Sequence, residues 1–435
     1  MKIFIILLVS SLLISCASNQ SKKEGVSDED AEKMGQMFAE GLAKLSQIEM
    51  TPINKTELPQ SLKDAFNKDL SKRKYKYIKR NLKKSKLDIN IPVPEKAKVN
   101  SYDYGFEVFD ENEGYLIMCH AGMLIESSLY TNYIKIMYGK VEGLKNWGES
   151  SEIKVVNGIP IFNLNTLTVY NEGEQAIASY SNFATFQDAD AEVMYGCFSR
   201  TSNKKLLMSY VEKLLKKNIP KRKEKATYYV WKLNGHKIGV TTTLIDAAIL
   251  KNKNHISYSK SFLLMPIGVG TVTASAFSEV AVETIKGDLI KNISTSYNSL
   301  GATTYELIKS PKEKNSFSFT TISEGKKSPV KKVTLKKIKG LRHQYKIYQK
   351  LSKRSKKKTP KKFKKSYFSG STFDGKQIIH TYRLDSYSSK KVAYKVDGIP
   401  FPNYKVIIDK ITGDIDFSFD FPMPAGKMLI EQIDN

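Results

Sequence analysis

The sequence contains few residues whose type and spacing could support chemistry. Its five histidines stand at positions 120, 236, 255, 343 and 380, and no two have the spacing of metal ligands on one helix. There is also no Cys-x-x-Cys pair, no Gly-x-Ser-x-Gly elbow and no phosphate-binding loop motif. We therefore expect no catalytic residue, no metal site and no cofactor, and we interpret the chain as a non-enzymatic protein.

Two cysteines in the body of the chain, Cys119 and Cys197, could form a disulfide bond. In an oxidising compartment such a bridge would contribute about 4 kcal/mol in the loop-entropy model. Two buried free thiols are the alternative, because Cys119 ends the apolar run Tyr115-Leu116-Ile117-Met118. The sequence alone leaves both interpretations open.

The N-terminus has the features of a secretory leader. Lys2 is followed by an apolar run from Ile3 to Ile14 and by the small residue Ser15. That run is too short for a stable membrane span. Leu13-Ile14-Ser15-Cys16 resembles a lipobox, the processing site of bacterial lipoproteins. The resemblance implies that residues 1–15 are removed and that Cys16 carries acyl chains such as palmitate. An ordinary secreted protein is the alternative.

The same resemblance implies a location in the bacterial cell envelope. Two or three acyl chains anchor a protein far more firmly than one chain does. Ala17 rather than Asp follows Cys16, which favours the outer membrane over the inner membrane. Residues 18–27 are polar and predict a flexible tether. We expect a lipid-anchored protein that faces the periplasm or the cell surface.

Basic residues are concentrated in two segments of the chain. There are 70 Lys and Arg residues against 44 Asp and Glu, a net charge of +26. Lys68–Lys86 carries +9 and Lys331–Lys365 carries +17, while the rest of the mature chain sums to −1. Concentrated charge of this kind is typical of proteins with an anionic partner. Because 63 of the basic residues are Lys, diffuse phosphate contacts are favoured over bidentate recognition.

We therefore predict that the basic segments bind anionic lipid, lipopolysaccharide or another acidic polymer of the envelope. Nucleic acid is not an expected partner, and the sequence assigns no protein partner. A solvated spacer that binds nothing has the same composition and is the alternative. The residues predicted to bind the anion are Lys72, Arg73, Lys76, Lys79, Arg80, Lys83, Lys346, Lys350, Lys353, Arg354, Lys357, Lys361 and Lys364.

Helical periodicity recurs at several places along the chain. Apolar residues at three- and four-residue steps predict N-terminal helices over Asp28–Ile48 and Ser61–Lys84. The same pattern predicts helices over Ser202–Lys217 and about Ala276–Ile293. Within the second basic segment, Gly340–Lys353 has the pattern of a short amphipathic helix, followed by a mobile basic stretch.

Strand and turn signals occupy much of the remaining sequence. Asn157-Gly158 and Asn234-Gly235 separate β-rich runs and predict hairpins. From about Tyr367 onward the chain shows only strand signals, with turns at Asp374-Gly375 and Asp397-Gly398.

These patterns predict an α+β fold. It would comprise N-terminal helices, antiparallel sheet units with packed helices, a Lys-rich helical or disordered insertion, and a C-terminal antiparallel sheet. The expected divisions are a leader at 1–15, the acylated Cys and tether at 16–27, a helical basic region at 28–90, an α+β region at 91–300, a Lys-rich linker or helix at 301–366, and a β-rich region at 367–435.

The α+β region has a faint internal similarity. Leu214-Leu215-Lys216-Lys217-Asn218-Ile219 has a counterpart in Leu289-Ile290-Lys291-Asn292-Ile293. Two similar units, about 91–219 and 226–300, would explain it. Chance similarity between amphipathic helix ends explains it nearly as well.

A second resemblance supports an alternative function. The segment Phe417–Gly426, after a hairpin-rich stretch, is similar to periplasmic lipoprotein-carrier proteins. That family folds as an open β-barrel around acyl chains. The resemblance implies a carrier or assembly factor that holds an apolar ligand in a β-rich cavity.

Overall fold

A computed structural model of the chain forms two compact units. We call Gln47–Lys223 the first unit and Glu224–Asn435 the second unit. The leader, the tether and the predicted helix at Asp28–Ile48 lie outside the described residues. The structure describes residues 74–84, 87–103, 105–110, 115–122, 144–172, 175–188, 193–201, 206–219, 226–233, 236–268, 271–298, 301–323, 325–357, 364–371, 377–398, 403–420 and 427–433.

The predicted α+β class is wrong, because the protein is mostly β. Strands make up most of the part of the chain that the structure describes, which contains two helices. Every strand pair among the described residues is antiparallel. Two segments with a helical pattern of apolar residues pair as strands instead, since pairing with neighbouring strands outweighs local propensity.

The described residues of the first unit form two sheets and one helix. Strands β1 and β2 form a two-stranded sheet, and a seven-stranded sheet has the order β3-β4-β5-β9-β8-β7-β6. The elements are β1 (Tyr75–Leu82), β2 (Leu87–Pro94), β3 (Lys98–Tyr102), β4 (Gly105–Asp110), β5 (Tyr115–Gly122), β6 (Leu144–Val156), β7 (Ile159–Glu172), β8 (Gln175–Asp188), β9 (Val193–Thr201) and α1 (Leu206–Asn218).

The end of the predicted helix Ser61–Lys84 is a strand. Strand β1 pairs along its whole length with β2, from Tyr75 opposite Pro94 to Leu82 opposite Leu87. Its Tyr and Ile residues suit a strand, and the Lys residues between them are exposed. Residues 61–73 lie outside the described residues.

Helix α1 agrees closely with the helix predicted at Ser202–Lys217. Its aliphatic side chains are buried in one core with residues of β2, β4, β5 and β7. At its C-terminal end, Asn218 accepts a hydrogen bond from the Asn90 backbone N–H at 2.7 Å. The Asn218 amide in turn donates to the Asn90 carbonyl at 2.9 Å, which joins the helix to β2.

The second unit is built on one 15-stranded sheet. Its order is β17-β16-β15-β14-β13-β12-β11-β10-β24-β23-β22-β21-β20-β19, and β18 also pairs with β16. The elements are β10 (Ala226–Leu233), β11 (His236–Ile249), β12 (His255–Gly268), β13 (Thr271–Glu283), β14 (Leu289–Asn298), β15 (Gly301–Lys309), β16 (Ser316–Ser323), β17 (Lys326–Lys327), β18 (Lys331–Thr334), α2 (Leu341–Lys357), β19 (Lys364–Ser371), β20 (Gln377–Tyr387), β21 (Lys391–Asp397), β22 (Lys405–Asp409), β23 (Ile415–Asp420) and β24 (Lys427–Ile433).

This sheet overturns one further expectation. The helix predicted at Ala276–Ile293 is instead the hairpin of β13 and β14. Strands on both sides of residues 300 and 366 belong to one sheet, and the Lys-rich region between them includes helix α2. The proposed internal similarity also finds no structural match, because Leu214–Asn218 is helical and Leu289–Ile293 is a strand.

The sheet curls around α2. A sheet with more than about ten strands usually curls or splits, and here segments near its two ends are joined by hydrogen bonds. Gln377, at the start of β20, exchanges hydrogen bonds of 2.7 and 3.1 Å with the Lys336 backbone, just beyond β18. Ile347, Tyr348 and Leu351 of α2 share one core with side chains from both halves of the sheet. Helix α2 is therefore part of the fold and not a solvated insertion.

Candidate functional site

The two body cysteines face each other in the first unit. Cys119 on β5 and Cys197 on β9 are register partners with their Cα atoms 4.1 Å apart, and their sulfurs are bonded. Both residues are buried in the apolar core beneath α1. The disulfide closes a sequence separation of 78 residues. Its burial gives it a structural role rather than that of an exposed redox group.

A buried carboxylate caps the N-terminus of α2. Both Glu283 oxygens accept hydrogen bonds from the Arg342 backbone N–H, at 2.9 and 3.1 Å. Burial raises the pKa of Glu283 to about 7, although backbone donors at the helix terminus oppose that shift. A Cβ at Gly340 would lie 2.6 Å from the Glu283 Cδ atom, so the approach requires glycine. We refer to Glu283, Asp246 and Arg342 together as the α2 anchor.

The Arg342 side chain completes the α2 anchor. Its Nε donates to Asp246 Oδ1 at 2.6 Å and its Nη1 donates to the Ile285 carbonyl. Asp246 has φ +58°, at a point where β11 departs from its register with β12, and Asp tolerates this left-handed conformation. His255 Nδ1 lies 3.0 Å from the same Asp246 oxygen. Arg342 is therefore a buried residue, although it lies within the second basic segment of the sequence.

Four of the predicted anion-binding residues lie on the opposite side of α2. Steps of four, three and one residues place Lys346, Lys350, Lys353 and Arg354 on one stripe, which we call the α2 cationic face. All but the half-buried Lys346 are exposed. Among the described residues, no carboxylate forms an ion pair with Lys350 or Lys353. The α2 cationic face is therefore a row of charges fixed by a helix whose other side is in the core.

Other cations of the second basic segment are neutralised locally. Lys332 lies 2.6 Å from Glu313, and Lys339 pairs with Asp288. Both pairs reduce the charge available to a partner. Lys357 is the last residue of α2 and Lys364 begins β19. Lys361 lies outside the described residues.

In the first unit, the predicted anion-binding residues lie on β1 and the turn that follows it. Lys76, Lys79, Arg80 and Lys83 are exposed, and Lys79 lies 3.2 Å from Asp88. Lys72 and Arg73 lie outside the described residues.

Helix α1 adds cations and aromatic contacts to the same region. Lys213 Nζ lies 4.8 Å from the Tyr75 ring centroid, and Lys217 Nζ lies 5.3 Å from that of Tyr77. Strand β1 and the last turns of α1 therefore form a surface on which lysines alternate with tyrosines.

A row of buried hydroxyl groups crosses strands β11 to β14 of the second unit. Thr243 Oγ1 and Ser259 Oγ lie 3.1 Å apart, and Thr241 bonds both Ser261 and the Trp231 indole N–H. Glu279 stands in the same row and is only 1% exposed. We call this group the hydroxyl belt; its members are Thr241, Thr243, Ser257, Ser259, Ser261, Ser294 and Ser296.

The hydroxyl belt has a sequence signal that the motif and turn patterns do not include. Ser257, Ser259 and Ser261 alternate with bulkier residues, as do Ser294 and Ser296, and alternation of period two marks one face of a strand. Helical spacing of the apolar residues over Ala276–Ile293 conceals the strand that carries Glu279 and Glu283. Asp246, His255 and Arg342 are far apart in sequence, and no local pattern brings them together.

Neither helix in the described ranges has the length and apolarity needed to cross a membrane. The side chains that the structure describes also include no group of three or more His, Cys, Asp or Glu residues arranged to hold a metal ion.

Comparisons with known proteins assign no family. No family model matches the chain, and no curated protein matches it. Among solved structures, it is similar to a β-barrel-like protein of the domain of unknown function DUF1849 from Brucella abortus, with 8% sequence identity and a TM-score of 0.33. That match covers 48% of this chain and 95% of the other chain. A similarity this weak carries no argument about fold or function.

Proposed function

We propose that this protein is a non-catalytic bacterial envelope lipoprotein, anchored through Cys16, whose folded part associates with an anionic lipid surface. The observation that carries the proposal is the α2 cationic face. Lys350 and Lys353 are exposed there, and Lys346 and Arg354 extend the same stripe. A row of ammonium groups on a fixed helix suits phosphate groups, either of phospholipids or of lipopolysaccharide.

The energetics support a role in association with membranes rather than in stability. Each Lys close to an anionic membrane contributes about 1 kcal/mol of binding, and the attraction fades beyond a Debye length of about 10 Å in 0.1 M salt. Four cations on one stripe therefore provide salt-sensitive association. The acyl chains on Cys16 would provide the lasting anchor.

The surface of β1 and α1 is a second contact region in this proposal. Its exposed Lys and Arg residues resemble the α2 cationic face in charge, and its tyrosines would suit the interface between lipid head groups and acyl chains. Tyr77 is 42% exposed.

Charge neutralisation on α2 tests the proposal. Deleting Lys331–Lys365 is not a clean experiment, because it removes Ile347, Tyr348 and Leu351 from the core. We would instead replace Lys346, Lys350, Lys353 and Arg354 by Gln in a chain that lacks acylation. A matched control replaces four exposed lysines in the turns after β11 and β15 by Gln, namely Lys251, Lys253, Lys312 and Lys314.

Binding is measured on vesicles of phosphatidylglycerol, of phosphatidylcholine, and of phosphatidylcholine that contains lipid A, at low and at physiological ionic strength. We expect the α2 variant to bind the anionic vesicles at least about tenfold more weakly than the control. Equal losses in both variants would show that net charge alone matters. If the unacylated chain without charge substitutions does not bind anionic vesicles at low salt, the proposal is contradicted. The two anionic compositions distinguish phospholipid from lipopolysaccharide phosphates.

The lipid anchor is tested separately in cells. Radiolabelled palmitate should enter the wild-type protein and not Cys16→Ser, and only the wild-type protein should remain with membranes after a high-salt wash. A wild-type protein that takes up no label would contradict lipidation.

The alternative, a carrier for an apolar ligand, gains no support from the described interior of the second unit. Part of that interior is filled by α2 and by aromatic residues that pack together, among them Tyr404 and Phe417. Another part is lined by the hydroxyl belt and Glu279. Burying acyl chains against polar groups is costly.

A further inference from the structure

Glu279 is a buried carboxyl group with an unsatisfied oxygen. It lies on β13, and its register partners are Ser259 on β12 and Ser294 on β14. Its exposed fraction is 1%, and its Oε2 atom has no hydrogen-bond partner among the described residues. Burial raises the pKa of Glu279, and a hydrogen bond from Asn292 acts in the opposite direction. A buried carboxyl group rarely remains in this state without a partner.

A second unsatisfied atom lies beside Glu279. Asn292 on β14 pairs with Ala281, which places its side chain diagonally across from Glu279 on the same face of the sheet. Its amide nitrogen donates to Ser294 Oγ at 3.3 Å, while its Oδ1 atom is buried and lacks a donor among the described residues. When Glu279 is ionised, both unsatisfied atoms are acceptors, and what they then lack is a donor.

The described surroundings add further acceptors. Ser259 and Ser294 flank Glu279 in the same row, and Thr243 lies 3.1 Å from Ser259. Hydroxyl groups can turn their lone pairs towards a bound donor. The basic side chain of the α2 anchor, Arg342, is already committed to Asp246 and to the Ile285 carbonyl.

We propose that Glu279 and Asn292, with Ser259 and Ser294 beside them, form a binding site for a primary ammonium group. An ammonium group brings three N–H donors and a charge that complements the carboxylate. The Glu279 carboxylate accepts one donor, the Asn292 amide oxygen accepts a second and a serine hydroxyl accepts the third. Binding requires the ionised carboxylate, so each ligand that binds to a protonated Glu279 releases one proton to solvent.

Methylammonium and tetramethylammonium chloride form a matched pair of probes, since both are cations but only the first has N–H donors. The full chain, purified in detergent, is titrated with each at constant ionic strength, with sodium chloride as the reference. Unfolding temperature reports binding, and calorimetry in two buffers of different ionisation enthalpy reports proton release. We expect methylammonium alone to raise the unfolding temperature and to release a proton. Equal effects of all three salts, or no effect of methylammonium, would overturn the proposal.

Variants locate the site. Glu279→Gln keeps the shape of the side chain and should weaken methylammonium binding about tenfold or more. Glu283→Gln, on the same strand and face, is the matched control and should bind as the wild type does. If Glu279→Gln does not fold, Asn292→Asp replaces it: the added carboxylate should tighten methylammonium binding. The assignment would be contradicted if Glu283→Gln lost as much methylammonium binding as Glu279→Gln does. It would also be contradicted if Asn292→Asp bound methylammonium no more tightly than the wild type does.

Discussion

Helices α1 and α2 show two ways of fixing a helix against antiparallel strands. Helix α1 buries an aliphatic face, from Leu206 to Leu215, in an apolar core that also contains a disulfide. Helix α2 buries the aromatic Tyr348 with Ile347 and Leu351, and its N-terminus is held by buried charges. The outer sides of both helices are rich in Lys.

The difference follows from the strands that each helix meets. The strands around α1 present Val, Ile and Leu side chains, so shape and apolar burial suffice there. The strands near the start of α2 present Glu283 and Asp246, whose charges must be satisfied. The first unit should therefore depend on its disulfide and on packing, whereas the second should depend on ionisation. The following predictions test that contrast in order of decreasing effect.

Reduction of the Cys119–Cys197 bond should have the largest effect, and only on the first unit. A bridge across 78 residues stabilises by about 4 kcal/mol in the loop-entropy model. The chain has two tryptophans, Trp147 in the first unit and Trp231 in the second. In Trp231→Phe, the fluorescence of Trp147 reports on the first unit, and reduction should move its unfolding midpoint to a lower denaturant concentration. In Trp147→Phe, the fluorescence of Trp231 reports on the second unit, and reduction should not move its midpoint. A double Cys119→Ala/Cys197→Ala variant that still responds to reductant would contradict this explanation.

Truncation of one core leucine in each helix should destabilise both units similarly. Leu214 and Leu351 are each 1% exposed, and replacing a buried Leu by Ala costs about 3 kcal/mol. Denaturant unfolding of Leu214→Ala, followed by Trp147 fluorescence, and of Leu351→Ala, followed by Trp231 fluorescence, measures these losses of stability. Lys353→Ala is the exposed control on α2 and should stay within about 0.5 kcal/mol of the wild type. A negligible cost at Leu351 would mean that α2 is not part of the core.

The α2 anchor should give the second unit a pH-dependent stability. The pKa of Glu283 is about 7 in the folded protein against an ordinary 4.5, so the folded state holds a proton that the unfolded state has lost. The contribution of Glu283 to the free energy of unfolding has its full value below pH 4.5 and is lost as the pH rises to 7. Relative to the wild type, Glu283→Gln should gain about 2 kcal/mol across that window. Parallel stability curves for the two proteins would contradict this.

His343 should produce the opposite slope. Burial, aided by the nearby Lys339 and Lys350, lowers the pKa of His343 to about 4. The unfolded state then holds the extra proton between pH 4 and 6.5, so this contribution stabilises the protein as the pH rises. Relative to the wild type, His343→Gln should lose stability as the pH increases through that range. Thermal unfolding at half-unit pH steps measures both effects, and a variant whose difference from the wild type does not change with pH would rule out His343 as a source.

The elements predicted from the sequence are those in which buried residues recur at one regular spacing within a single segment. Helix α1 was predicted within a few residues because its apolar side chains recur every three or four positions over 13 residues. Helix α2 was predicted for the same reason, and the hairpin at Asn157-Gly158 from its turn residues, both of which have positive φ. The C-terminal strands alternate apolar and polar residues and were also predicted.

The hairpin of β13 and β14 was missed because local propensity there opposes the final structure. Ala274, Ala276, Ala281 and the two glutamates of β13 favour a helix, and apolar residues happen to recur at helical steps. Thirteen register pairs with β12 impose a strand, which turns Phe277, Glu279 and Glu283 to one face. No single-segment pattern shows that partner, because the pairing energy comes from another strand.

The sequence by itself carries the resemblance to a lipobox, the concentration of positive charge, the patterns of helices α1 and α2 and the prevalence of strand signals near the C-terminus. These are properties of one residue type or of one short segment. Only the tertiary structure decided which cations remain available, because Lys339 and Arg342 meet Asp288 and Asp246 from distant strands. It also decided that the Lys-rich helix belongs to the core, since the apolar residues that cover Tyr348 and Leu351 come from strands on both sides of it in sequence. Contacts between distant segments depend on strand order and register, and no short stretch of sequence specifies either.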